Sequence, residues 1–239
     1  MKNDANELRQ VAATQAPRHD IYAGIHKAIR ALMADTLLAV GRMDSTDELE
    51  VAQVTQRVLE LLDFCTSHLG HENEYLHTAI EARAAGASER IAHEHVEHEA
   101  HIAALGRSVA ALRATPADSR AGAALDLYRQ LSLFVAENYQ HMYVEETAHN
   151  AVLWARYTDA ELEGIHHRLV ASIPPAEMMF GMRWLVPFMN PQERAGLLSD
   201  VQRNAPPPAF QAILDTVRPH LAEAEWAKLA ASLQLAQPA

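Results

Sequence analysis

Apolar side chains recur along most of this chain at three- and four-residue intervals, with charged residues between them and no run of alternating β-branched residues. That period is the signature of amphipathic α-helices. Four long helical segments are predicted before about residue 156. The first runs from about Pro17 to Val40 and stops at Gly41. Ser45-Thr-Asp-Glu48 has the form of a capping box and opens the second, which continues through Arg83 with Gly70 as a bend. Ala85-Gly86-Ala87-Ser88 is a turn, with Ser88 as N-cap of a third helix ending near Arg113. Thr115 and Pro116 supply the cap and first-turn proline of a fourth, which reaches about Arg156.

Beyond this point the helices become shorter and proline punctuates them. Thr158-Asp-Ala-Glu161 and Asn190-Pro-Gln-Glu193 are two further capping boxes, and Pro206-Pro207-Pro208 separates the last two helices. The expected architecture is all-α. Short connections favour antiparallel neighbours, hence an up-down-up-down four-helix bundle over residues 1–156. Residues 157–239 are expected to form a C-terminal helical appendage packed on the bundle, anchored by Trp184, Phe188, Phe210 and Trp226. The Met178, Met179, Met182 stripe belongs to that appendage's core.

The 3-4 spacing also tells which residues face inward. The first helix turns in His19, Tyr22, His26, Ile29 and Met33, and the second Leu61, Cys65, His68, Glu72 and Tyr75. The third contributes Ile91, His95, His98, Ile102, Leu105, Val109 and Leu112. The fourth contributes Leu127, Leu131, Phe134, Asn138, His141, Glu145, Ala148 and Val152. Each apolar seam is thus interrupted by ionisable residues over about two turns.

Composition sharpens this picture. The chain of 239 residues holds 14 histidines, and only His166, His167 and His220 follow residue 150. A net charge of -11 with no basic stripe argues against nucleic acid or an anionic membrane as partner. The single cysteine, Cys65, excludes an internal disulfide framework, suits a reducing compartment and fits core packing. No secretory leader and no apolar run of about 18 residues is read, so the expectation is a soluble, cytoplasmic protein.

His68 with Glu72 and His141 with Glu145 are histidine–glutamate pairs four residues apart, which a helix presents on one face. Antiparallel packing brings His26, His68, His98 and His141 to one level, with Glu72 and Glu145 a turn above, level with Tyr22. No lysine or arginine lies on the seams, so burying these groups is costly unless a cation neutralises them. The expected metal ligands are His26, His68, Glu72, His98, His141 and Glu145, with His95 or Glu94 as a possible seventh. Glu146 competes with Glu145, and helical rotation favours Glu145. His19, Tyr75, His77 and His149 either line a cavity above the carboxylates or form a solvated bundle end. His93 points away from the seam. Imidazole and carboxylate together suit iron, manganese or zinc, and two glutamates between two histidine sets can bridge two ions.

These residues resemble the hemerythrin-like (HHE cation-binding) family over about residues 17–155. The resemblance rests on His26, on His68 with Glu72, on His98 and on His141 with Glu145. Spacings of 42, 30 and 43 residues between the four histidines suit the longer-helixed bacterial and F-box members. It implies non-haem iron, two ions per chain, in a four-helix bundle. Two departures argue against a reversible oxygen carrier. Glu94 stands where the carriers have a second third-helix histidine, with His95 as the nearest substitute. The fourth-helix carboxylate also follows its histidine by four residues, where the carriers use five.

Three functions compete. The first is a di-iron binding, sensing or redox module for dioxygen, peroxide or nitric oxide. The second is a di-iron oxidase, an oxidoreductase using dioxygen or peroxide on a small organic substrate. The third is an iron-centre repair or iron-donor protein, ranked last because such proteins carry an N-terminal cysteine-containing segment. Nothing in the sequence specifies a substrate, which favours the first and leaves enzyme status and oligomeric state open.

Overall fold

The computed structural model describes residues 18–235, so Pro17, the expected start of the first helix, lies outside the described residues. All regular structure among the described residues is helical. Helix α1 (Ala23–Arg42) opens after Asp20, whose carboxylate accepts from the backbone N–H groups of Tyr22 and Ala23. It runs through Gly41 instead of stopping there. A Cβ at Gly41 would meet a Tyr128 ring carbon at 2.9 Å, so this glycine serves a close approach, not a helix end.

Helix α2 (Glu48–His71) is capped by Asp47, which accepts from Leu49 N and Glu50 N. The capping box expected from Ser45 does not form. A carboxylate at the positive end of the helix dipole is the stronger cap, and Asp44 bonds the backbone and hydroxyl of Thr46 instead. Gly70 lies inside the helix. The irregularity comes just after it, as a π-helical turn over Glu72–His77 that leads into α3 (Thr78–Arg83). Gly86, at φ +81°, makes the following turn, and the Glu81 carboxylate accepts from Gly86 N and from Ser88 N and Oγ. Ser88 therefore precedes α4 (Glu89–Ala114) without its side chain capping it.

A short 3-10 turn over Ala117–Ser119 separates α4 from α5 (Arg120–Val144). A second π-helical turn, Glu145–His149, joins α5 to α6 (Asn150–Arg156). Helix α7 (Asp159–Ser172) starts at the predicted Thr158–Glu161 box, with Thr158 N donating to Glu161 at 2.8 Å and Glu161 N to Thr158 Oγ1 at 3.3 Å.

By contacts the chain divides into two units: residues up to Ala23 with Leu32–Ser172, and Gly24–Ala31 with the residues from Ile173 onward. In the first, α4 packs on both α2 and α5. Met33, Leu61, Leu105, Val109, Leu112, Leu127, Leu131 and Phe134 fill its seam and are almost fully buried. Each such side chain contributes roughly 1.5–3 kcal/mol by leaving water. A second cluster joins Ile21, Tyr22, Leu76, Ile80 and Leu153 to Leu162 and Ile165 of α7.

The second unit contains α8 (Pro175–Leu185), α9 (Pro191–Asn204), α10 (Pro207–Val217) and α11 (Glu223–Ser232). Prolines open the first three, where a missing N–H costs no helical bond. Met182, Val186, Leu198, Phe210, Val217 and Leu229 form its core, and Met178, Met179 and Trp226 pack against it. The Asn190–Glu193 capping box forms as predicted, and Glu193 also pairs with Lys27 at 2.6 Å. Of the four expected anchors, Phe188 is the exception: it is half exposed, stacked on Trp184. No helix among the described residues is long and apolar enough to cross a membrane.

Candidate metal centre

Glu72 and Glu145 each begin a π-helical turn, and both are buried. A π turn closes hydrogen bonds five residues apart and so inserts one residue into the α register. The inward face shifts accordingly. On α5–α6 the pattern predicts Glu145, Ala148 and Val152, whereas Glu145, His149 and Leu153 are buried and Ala148 and Val152 only partly so. On α2–α3 it predicts Tyr75, whereas Leu76, His77 and Ile80 are buried and Tyr75 is half-buried. In an unbroken α-helix His77 would lie about 140° around from Glu72, at about 100° per residue. The inserted residue returns it to the same side.

Three overlapping groups of donor atoms result, each with its atoms within 4.8 Å of one another. One is His26, His68 and Glu72, the second Glu72, His95, His141 and Glu145, and the third His77, Glu145 and His149. Two ligands of one ion at about 2.1 Å each lie at most about 4.2 Å apart, so only a small inward adjustment separates these groups from a coordination shell. Within them His68 Nε2 is 3.1 Å from Glu72 Oε1, and His141 Nε2 is 3.3 Å from Glu145 Oε1. His95 Nε2 stands 3.5 Å from Glu72, 3.6 Å from Glu145 and 3.1 Å from His141 Nε2.

The outer nitrogens fix how these rings present themselves. His141 Nδ1 lies 3.0 Å from the Glu94 carboxylate, which only accepts, so Nδ1 carries the proton. Glu94 is in turn held by Arg90 at 3.1 Å. His95 Nδ1 donates to Asn73 Oδ1 at 2.8 Å. With both Nδ1 atoms protonated, neutral His95 and His141 aim two Nε2 lone pairs at each other across 3.1 Å. A shared proton or a cation relieves that repulsion. Partners of this kind, behind the ligating nitrogen, are what orient metal-binding histidines.

The electrostatics agree. Burial pulls the His141 imidazole down, but Glu145, Glu94 and Glu72 outweigh it and raise it to about 10. Burial and the Glu72 charge push the Glu145 carboxyl up, and the imidazoles of His141 and His95 overcome them to hold it below its usual range. His77 is depressed to about 4, by burial first and then by His95 and His149. Burial likewise lowers His149. Tyr22, fully buried beside Glu145 and Glu72, is held well above the usual phenol value, chiefly by burial. Buried carboxylates beside imidazoles, of which His77 and His149 are held toward the neutral form, are a donor set suited to a transition-metal ion.

The six ligands expected from sequence do not all converge. His26, His68, Glu72, His141 and Glu145 enter the donor groups, and His98 stands outside them. Its ring packs edge-on against His141 at 4.6 Å, its Nδ1 finds no hydrogen-bond partner among the described residues, and burial beside His141 and His95 depresses it to about 4. His95 supplies the third-helix donor. Glu94 sits behind His141 and Tyr22 behind His149, its hydroxyl 3.3 Å from Nδ1. His19 faces His166 at 5.4 Å, and the half-buried Glu146 accepts from Asn150 through its carbonyl. His93 is exposed, as its position predicts. The seams leave out His77 as a donor. Its one signal in sequence is a histidine five residues beyond a seam glutamate, the spacing a π turn would bring round.

No curated protein and no solved structure matches the chain. The model of the hemerythrin HHE cation-binding domain matches residues 18–153, the segment that carries every one of these donors, and the chain therefore belongs to the hemerythrin HHE cation-binding family.

Proposed function

We propose that the chain is a non-haem dinuclear metal protein, with iron as the metal, serving as a binding, sensing or redox module for dioxygen, peroxide or nitric oxide. The observation that carries this reading is the overlap of the donor groups: Glu72 and Glu145 are each shared between two of them. A carboxylate common to two donor sets would serve both of the ions they hold. His26 and His68 would hold one ion and His95 and His141 the other, with Glu72 common to both sets and Glu145 on the second. The long helices that carry them form an up-down-up-down bundle in this reading, and the setting is the cytoplasm. Iron bound there supplies exchangeable electrons and an open position for a small ligand; the chain's part is to orient the ligands through Glu94 and Asn73 and to keep the carboxylates out of water. Manganese and zinc fit the same donors, but the functions above need a redox-active ion.

Protein purified without added metal should contain iron, reaching at least two ions per chain after anaerobic loading with ferrous iron. Its optical spectrum should develop an oxo-bridged ferric band in air and stay without it under nitrogen. Exposure of the reduced form to nitric oxide should give a separate absorbance change. A chain that takes up no ferrous iron at neutral pH would end this reading. Loading with zinc alone, without a spectral response to air, would leave a metal site and remove its redox role.

A further inference from the structure

We propose that His77, Glu145 and His149 form a cation position of their own within the centre, a two-histidine, one-carboxylate set for a divalent transition-metal ion. The inference rests on the metal-binding reading above and adds two ligands that the helical seams leave out.

Geometry comes first. One nitrogen from each ring and one Glu145 oxygen lie within 4.8 Å of one another, and all three residues are buried, with His77 6% and His149 2% exposed. Neither His77 Nε2 nor His149 Nε2 finds a hydrogen-bond partner among the described residues. Leaving a buried polar atom unsatisfied is destabilising. A core histidine with a merely structural role makes its hydrogen bonds; these two leave a nitrogen without one while their rings share the neighbourhood of one carboxylate.

The rings are also held in place. His77 stacks on His95 at 4.7 Å, with its plane inclined by 24°, and meets His149 edge-on at 5.4 Å. The Tyr22 hydroxyl lies 3.3 Å from His149 Nδ1 and occupies that edge of the ring, which leaves Nε2 as its unpartnered nitrogen. Each ring is delivered by its own π-helical turn, an irregularity that concentrates at functional sites. Two histidines and one carboxylate leave coordination positions open for an exogenous ligand, as they do in the His26, His68, Glu72 set.

The test uses the full chain, stripped by chelator and reloaded anaerobically with Co2+ or Fe2+, with metal per chain measured after gel filtration. His77→Gln/His149→Gln should hold one equivalent fewer than wild type, with an altered Co2+ visible spectrum and an unchanged helical circular-dichroism signal. His26→Gln should lose a different equivalent, so that adding it to the double variant removes two. Wild-type metal content and an unchanged Co2+ spectrum in the double variant would overturn the proposal, while loss from His26→Gln alone leaves the dinuclear reading standing. A wild type that binds no metal defeats both. A second measurement needs no double variant. In wild type labelled with 15N-histidine, Zn2+ loading should shift the Nε2 resonances of His77 and His149 together with that of His95, and resonances that stay put would equally overturn the assignment.

Discussion

Arg194 and the Glu145 cluster bury charge in opposite ways. The Arg194 guanidinium is 4% exposed, in the C-terminal unit, and its donors are taken by the carbonyls of Val186, Pro187 and Met189 and by Glu225. Protein oxygens accept at both Nε and Nη2 of that site. Around Glu145, by contrast, imidazole nitrogens of His77 and His149 end at no hydrogen-bond partner among the described residues, and two more face each other across 3.1 Å. Burying polar groups is tolerated when they are satisfied. The difference teaches that the first site meets its buried charge with protein acceptors, whereas the second leaves buried imidazole nitrogens that a cation would engage.

Removing a shared carboxylate should break the comparison most sharply. Glu145→Ala and Glu72→Ala should each reduce metal content to one ion per chain or none, while His93→Ala, on the exposed face, leaves it at the wild-type value; elemental analysis of reloaded protein decides. If His93→Ala empties the site, the orientation assigned to α4 is wrong.

Chelation comes next. Metal bound at a hundredfold excess over Kd stabilises the folded state by about 2.7 kcal/mol, or about 5–10 °C in Tm for a chain of this size. Thermal melting with and without chelator near neutral pH should show that difference, and an unchanged midpoint would count against so central a site. Acid should release the metal, because ligation requires neutral imidazole.

Arg194→Met should cost about 3 kcal/mol, since it takes the side-chain donor from the carbonyls of Pro187 and Met189 and leaves Glu225 without its partner. Metal content should not change. A matching loss of metal would show that the two kinds of buried charge are coupled.

The smallest effect concerns an exposed pair. Glu161 is held at about 2, below its ordinary 4.5, first by the hydrogen bond from Arg83 and then by those from Thr158. A depressed carboxyl stabilises the fold above its unfolded value, and the stabilisation disappears as pH falls from 4.5 through about 2. In metal-free protein, wild type should lose its advantage over Glu161→Gln across that window, read as converging melting temperatures. Parallel curves would assign the pair no role in stability.

Much of this was legible in the sequence. The buried seam of Leu105, Val109, Leu112, Leu127 and Leu131 follows directly from the 3-4 spacing, and so do the boxes at Thr158 and Asn190. The His68–Glu72 and His141–Glu145 pairs were readable because residues four apart share a face wherever the local backbone is α-helical. What failed was the register beyond each glutamate: Ala148 and Val152 gave way to His149 and Leu153, and Tyr75 to Leu76 and His77.

By itself, then, the sequence determined the helices, their apolar faces and a histidine–glutamate pair on each of two of them, because these depend on local period alone. Only the tertiary structure decided that His95 and not His98 joins the donors, and that His77 and His149 reach Glu145. The physical reason lies in the backbone. A π turn adds one residue to a helix without any residue type that marks it, and rotates everything after it by most of a face. The choice between His95 and His98 is likewise a rotation of one helix against its neighbours, which the packing of α4 on α2 and α5 settles and no local pattern records.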